Sequence, residues 1–360
     1  AMAREVRRAM DEGAVGLSTG LIYAPGVFAD TDELVALARA AGQAGGFYAS
    51  HIRGEGDTLL PAIAEAIDVG RRASVPVEIS HLKAAGRSNW PKMAQAIELI
   101  EAARAEGLDV TADMYPYPAG STALSALLPA LVHAGGRDAL LARLADAADR
   151  ARIRVVLDGP GMARDAGWDG IVIAGCPARP EYEGQTLARI AAGLGMSPDE
   201  AVIEVVRQAK GDADMILFMM SEDNVALGLG RPWVMIGSDG EGRAARGPYA
   251  TGKPHPRNYG TCPRLLGHYV RDRGLLSLPE AIRKLTSLPA GKLGLPDRGR
   301  LEPGAVADVV VFDPATIADT ATFAEPHRYP DGVPWVLVNG EPVIAGGQHT
   351  GRRPGRVLSR

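Results

Sequence analysis

Hydrophobic and polar positions alternate in blocks along the first third of the chain. A polar amphipathic stretch over residues 1–12 predicts a helix that runs into Gly13. Asp30-Thr31-Asp32-Glu33 puts acidic side chains in a first turn and predicts a helix extending to about Gly42. Phe47-Tyr48-Ala49-Ser50-His51 predicts a short strand. Leu59, Leu60, Ile63, Ala66 and Ile67 recur at helical spacing within residues 57–73, and a strand follows over Val75–His81. Pro91 opens a third helix with Met93, Ile97 and Ile100 on one face, Gly107 closes it, and Leu108–Asp113 is the next strand. Strands alternating with helices in this way predict βα units and a parallel sheet.

Residues 120–230 are less regular. They contain a long Ala/Arg/Asp-rich helix around 136–151 and a candidate strand over Arg154–Leu157, and are expected to form an insertion or lid over the sheet's mouth. Trp233–Asp239 returns to a strand ending in polar residues, and a helix over 278–288 leads to Leu301–Phe312. Short β runs follow, with Asn339-Gly340 as a hairpin signal inside Val336–Ile344. No internal repeat is visible. The expected organisation is an α/β body over 1–296 and a small β portion over 297–360. Three successive strands end in His51, His81 and Asp113. Ligands gather at strand C-termini in both (β/α)8 barrels and doubly wound sheets, and polar ends on several strands in a row favour the barrel.

Composition narrows the classes. The chain has 360 residues, a formal charge of −4, 46% apolar and 23% charged residues. These are globular values, and the charge offers no basic footprint for nucleic acid. Gly (44) and Pro (26) make up about a fifth of the chain and imply many tight turns. The two cysteines, Cys176 and Cys262, form no CxxC and read as reduced thiols. No apolar run approaches the roughly 18 residues of a membrane span, and the N-terminus has no signal-peptide pattern, so a cytoplasmic location is expected.

Of seven histidines, His51 and His81 stand out, because each ends a strand and one helix separates them. Side by side on adjacent strands they fit a pair of imidazole zinc ligands, and they also fit two satisfied polar residues. Asp239, in Gly237-Ser238-Asp239-Gly240, fits either a turn-forming residue or a catalytic carboxylate. Two histidines and an aspartate at one barrel mouth describe metal-assisted hydrolysis.

Six segments in order resemble N-acyl-D-amino-acid deacylases (D-aminoacylases) of the metal-dependent amidohydrolase superfamily. They are Gly16–Tyr23, Ser50–Arg53, Ile79–Lys83, Ala112–Tyr117, Gly237–Gly240 and His255–Thr261, and Pro303–Val310 matches the superfamily's return to its β-sandwich. The resemblance implies a TIM (β/α)8 barrel with a C-terminal β-sandwich portion, and zinc-dependent hydrolysis of N-acyl-D-amino acids to a carboxylate and a free D-amino acid. By resemblance, His51 and His81 are the zinc ligands of the fifth and sixth strands, and Asp239 is the general base that later protonates the leaving amine. Tyr23, Lys83, Tyr115 and Arg257 sit where the family holds the substrate carboxylate, which suits a guanidinium fork, an ammonium and phenol hydroxyls.

Two elements of the family pattern are missing: the His-x-His pair of the first strand and the metal-binding cysteine of the second, since Cys176 and Cys262 lie elsewhere. With residues 15–19 as the fourth strand, the chain supplies strands four to eight. The expectation is therefore a partial barrel, truncated at its N-terminus, with two exposed parallel edges, weak zinc binding and poor turnover. Two alternatives compete. A hydantoinase- or dihydroorotase-like cyclic-amide hydrolase carries a carboxylated lysine on the fourth strand, and Gly13–Tyr23 has no lysine. An inactive barrel serving as a binding module is the other. The partner expected is a small N-acyl amino acid, with no nucleic acid and no membrane; oligomeric state is not specified by the sequence.

Overall fold

A computed structural model describes residues 1–359. Five parallel strands form its central sheet. They are β1 (Gly16–Gly20), β2 (Phe47–His51), β3 (Val77–Ile79), β4 (Val110–Met114) and, after a long excursion, β8 (Val234–Ile236). Their spatial order is β1-β2-β3-β4-β8. Helices Thr31–Gln43, Leu59–Ala73 and Lys92–Ala105 connect the first four strands, as the periodicity predicts. The capping is local. Asp30 accepts a 2.8 Å hydrogen bond from the Glu33 amide, Ser74 ends the second helix in a left-handed conformation, and Gly107 (φ +91°) follows the third.

The strands are shorter than their apolar runs. Only Val77–Ile79 of Val75–His81 and Val234–Ile236 of Trp233–Asp239 pair, because the chain turns away once His81 (φ 39°) and Asp239 (φ 48°) enter left-handed conformations. One face of the sheet lies under the helices. Tyr48, Val77, Ile79, Val110, Ala112 and Val234 are buried there in a continuous apolar core with Ile63, Ile67, Met93 and Ile100. Close helix–strand packing requires Gly70, where a Cβ would lie 2.2 Å from Val77 Cγ2. The register sets Ala49 beside Glu78 and Glu78 beside Thr111 on the other face, which is far more polar.

Residues 120–217 interrupt the βα series with a second sheet that periodicity did not reveal. It is antiparallel, in the order β5 (Gly120–Ala123), β7 (Asp214–Leu217), β6 (Ile171–Gly175), and has its own apolar cluster. Two sequence expectations fail here. The long helix is two, Gly136–Ala145 and Ala147–Leu157, because Asp146 accepts the amides of Ala148 and Asp149 and starts a new helix. The expected strand at Arg154–Leu157 is the end of that second helix. Val155 and Val156 are 74% and 51% exposed, so no sheet takes up their β-branched side chains, while Arg154 pairs with Asp199 and Glu200.

The chain ends in a four-stranded antiparallel sheet of β9 (Val309–Val311), β10 (Trp335–Val338), β11 (Glu341–Ala345) and β12 (Gln348–His349). Asn339 (φ 49°) and Gly340 (φ 82°) form the two-residue turn between β10 and β11, the left-handed pair that an Asn-Gly hairpin supplies. No helix among the described residues is long and apolar enough to cross a membrane.

Candidate active site

The C-terminal ends of the parallel strands face a cavity of about 280 Å³. Its lining includes Tyr23, His51, Glu55, His81, Lys83, Tyr115 and Asp239. Six of the seven side chains singled out in the sequence therefore meet in one space. The seventh, Arg257, lies just behind it: Nη1 is 2.9 Å from Asp239 Oδ2, and the guanidinium sits 4.7 Å from the Tyr115 ring centroid.

His51 ends β2 and His81 follows β3, so adjacent strands bring the rings together. His51 Nδ1 faces His81 Nε2 at 2.8 Å. Lys83 Nζ donates to His81 Nδ1 at 2.8 Å, so His81 carries its proton on Nε2 and donates it to His51 Nδ1. That leaves His51 with a proton on Nε2, a buried nitrogen without a partner. Burial holds the His51 pKa down to about 3, so the ring is neutral. Two neutral imidazoles with converging nitrogens and one orphaned ring atom suit a divalent metal ion. Below them, Asp113 Oδ1 accepts the His81 backbone amide at 3.0 Å, and burial raises the Asp113 pKa. The left-handed φ values of His81 and Asp239 place backbone strain at two of the seven positions.

Glu55 is the residue that sequence reasoning missed. It follows His51 by four positions in the loop after β2, and groups with His51 and His81 as a potential metal-holding cluster. Its Oε1 lies 2.5 Å from Lys83 Nζ and 3.1 Å from His81 Nδ1. Burial alone would raise its pKa, but Lys83 and the histidines pull it well below the carboxylate range. The same contact works on Lys83, where burial opposes the charge yet Glu55 holds the ammonium above its ordinary pKa. The signal was the i+4 spacing from His51, indistinguishable in sequence from an ordinary helix-entry carboxylate.

The opposite wall gathers cationic and phenolic groups. Tyr115 is buried, and Lys83 Nζ lies 5.8 Å from its ring centroid. Arg257 is buried and donates from Nη2 to the Ser121 carbonyl at 3.2 Å, while Nε and Nη1 make no hydrogen bond; the Nη1–Asp239 approach is an ion pair without hydrogen-bond geometry. His255, outside the lining of this cavity, fixes this arginine. Its Nε2–H donates to the Ala119 carbonyl at 2.9 Å, and Nδ1 accepts the Arg257 amide at 3.0 Å. Burial holds the His255 pKa well below normal and keeps this neutral tautomer. Tyr23 is 36% exposed and pairs with Thr122 at 3.0 Å across the cavity entrance. Met162, Leu217 and Met219 supply an apolar wall.

Two histidines suited to a metal ion and a group of cationic and phenolic side chains thus share the C-terminal mouth of one parallel sheet. The sequence pattern of the Amidohydrolase family matches residues 1–344, and the chain belongs to that family. It is 40% identical over 360 residues to a D-aminoacylase of Alcaligenes xylosoxydans xylosoxydans, and 39% identical to an N-acyl-D-glutamate deacylase from the same organism. Both alignments cover the whole chain and 64% of the relative, so the chain spans less than two thirds of the curated relatives it matches. A D-aminoacylase crystal structure superposes with a TM-score of 0.81 at 38% identity, covering 100% of this chain and 65% of that one. An N-acyl-D-glutamate deacylase of Bordetella bronchiseptica, solved with zinc and a phosphonate mimic of the tetrahedral intermediate, does so with a TM-score of 0.81 at 36% identity, covering 99% and 65%.

Proposed function

We propose that this site hydrolyses the amide bond of N-acyl-D-amino acids, with His51 and His81 holding a zinc ion. The observation that carries the reading is the meeting, in one cavity, of two converging neutral imidazoles with Lys83, Tyr115 and the under-bonded Arg257 across from them. A bound zinc ion would supply Lewis acidity to the amide carbonyl and to the attacking water. The chain's own groups do the rest. Lys83 and Tyr115 receive the substrate carboxylate, Arg257 adds its free N–H groups behind them, and Tyr23 closes the entrance. Asp239 takes a proton from water at its carboxylate and returns it to the leaving amine nitrogen; its ion pair with Arg257 aims it. The D configuration rests on the relatives' names. A cyclic-amide hydrolase gains nothing from the structure, since β1 (Gly16–Gly20) carries no lysine. A cytoplasmic setting is supported by the two free cysteines, Cys176 and Cys262.

The test is zinc stoichiometry together with hydrolysis of paired N-acetyl-D- and N-acetyl-L-amino acids. Release of free D-amino acid dependent on zinc, with the L series inert, is the expected result. Equal hydrolysis of both enantiomers overturns the substrate assignment.

A further inference from the structure

We infer that Glu55 is a positioning residue that couples the metal-ready form of His81 to the aim of Lys83. The inference rests on the metal-assisted reading above. A neutral imidazole has one proton. With Lys83 Nζ donating to Nδ1, the His81 proton sits on Nε2, the atom that faces His51. Binding a cation through Nε2 therefore requires that proton to stand on Nδ1 instead, and a proton there needs an acceptor. Lys83 cannot provide one, because an ammonium only donates. Glu55 Oε1, 3.1 Å from Nδ1, is the acceptor within reach. It lies 3.9 Å from His51 Nε2, farther than from either His81 or Lys83.

The switch has a second effect. When Nδ1 donates to Glu55, the Lys83 hydrogen that pointed at Nδ1 loses its acceptor and turns toward the cavity, while another keeps the 2.5 Å contact with Glu55. Metal loading and the freeing of a donor for the substrate carboxylate become one event through one carboxylate. The loop is stiff enough to hold this arrangement. Glu55 is 12% exposed, and its backbone carbonyl accepts the Ala85 amide at 2.7 Å, which ties the loop after β2 to the loop after β3.

Cobalt(II) titration of the purified chain, read by its visible absorption, tests the inference without turnover. Glu55→Gln is expected to weaken cobalt binding roughly 10–100-fold, the usual effect of losing the partner behind a ligating histidine. The band positions should stay those of the parent, and Glu55→Asp should give a smaller loss of the same kind. Lys83→Met removes the competing donor and should leave affinity unchanged or raise it. Equal affinity in parent and E55Q overturns the inference. So do altered bands in E55Q, which make Glu55 a direct ligand, a loss in K83M as large as that in E55Q, or no cobalt uptake by the parent. A chain that binds cobalt through this network yet cleaves no N-acyl-D-amino acid refutes the proposed activity and leaves the role of Glu55 standing.

Discussion

The two ends of the parallel sheet bury lysines in opposite ways. At the N-terminal end, Lys284 is fully buried and donates to the backbone carbonyls of Arg231 and Val234, the latter at 2.9 Å. Lys292 donates to the Val77 carbonyl at 3.0 Å and to Asp109 at 3.3 Å. These lysines are occupied by the fold itself. At the C-terminal end, Lys83 is equally hidden, but its partners are side chains that have other work, Glu55 and His81. The difference shows in charge. Burial lowers the Lys284 pKa to about 8, opposed only by Glu280 at 3.9 Å, whereas Glu55 at 2.5 Å lifts Lys83 above its ordinary value. Unsatisfied groups follow the same division. His51 Nε2 and two Arg257 nitrogens lack hydrogen bonds near the mouth, along with Glu78 Oε1 inside the sheet's polar face. The lysines of one end are tied up in the fold, while the other end keeps unpaired donors around the cavity.

Substitutions at the two ends should separate activity from stability. Asp239→Asn should lower kcat by about 10²–10⁴-fold, the range for a lost general acid–base group, while zinc content stays constant. A drop in zinc content matching the drop in rate would instead make Asp239 a part of the metal site. Arg257→Lys exchanges a fork for a point charge and should cost kcat/KM about ten- to hundred-fold, mostly in KM, as one charged hydrogen bond of about 1.5–3 kcal/mol is lost. A pure kcat effect would assign Arg257 to aiming Asp239 rather than to the substrate.

The wall of Met162, Leu217 and Met219 provides no cation for a second carboxylate. N-acetyl-D-methionine or N-acetyl-D-leucine should therefore exceed N-acetyl-D-glutamate in kcat/KM by about one to two orders of magnitude. The reverse order would mean that the side chain points away from this wall. Lys284→Met should leave kcat and KM unchanged and destabilise the fold by about 1–3 kcal/mol through the orphaned carbonyls. Its pH dependence has a definite sign. Folding lowers this pKa from 10.5 to about 8, so the unfolded state binds more protons between those values. The parent should gain stability relative to K284M as pH rises from 8 to 10.5 in urea melts. A constant difference between the two would show that Lys284 stays charged.

Much of this was readable in the chain. The helix of Leu59–Ala73 and the strand of Phe47–His51 follow from periodicity, because their buried faces repeat at fixed local spacing. His51, His81 and Asp239 were visible as polar residues ending apolar runs, and the structure brings them to one mouth. Arg154–Leu157 misled because its apolar run of three, Val155–Leu157, carries no sign of whether a sheet exists to receive it. The antiparallel sheet of residues 120–217 was illegible because its strands come from segments up to about ninety residues apart, paired by long-range register rather than by pattern.

Glu55 and His255 mark the same boundary within the site. Local spacing determined the βα units, the caps, the hairpin turn at Asn339-Gly340 and the positions where polar side chains must leave a strand. Only tertiary structure decided that Glu55 would reach Lys83 and His81, that His255 would fix Arg257, and that Lys284 would be sealed while Lys83 kept hydrogens to offer. Local preferences arise from contacts a few residues apart and are written in the chain. Proton placement and burial depend on which distant groups meet, and exist only once the sheet has closed over them.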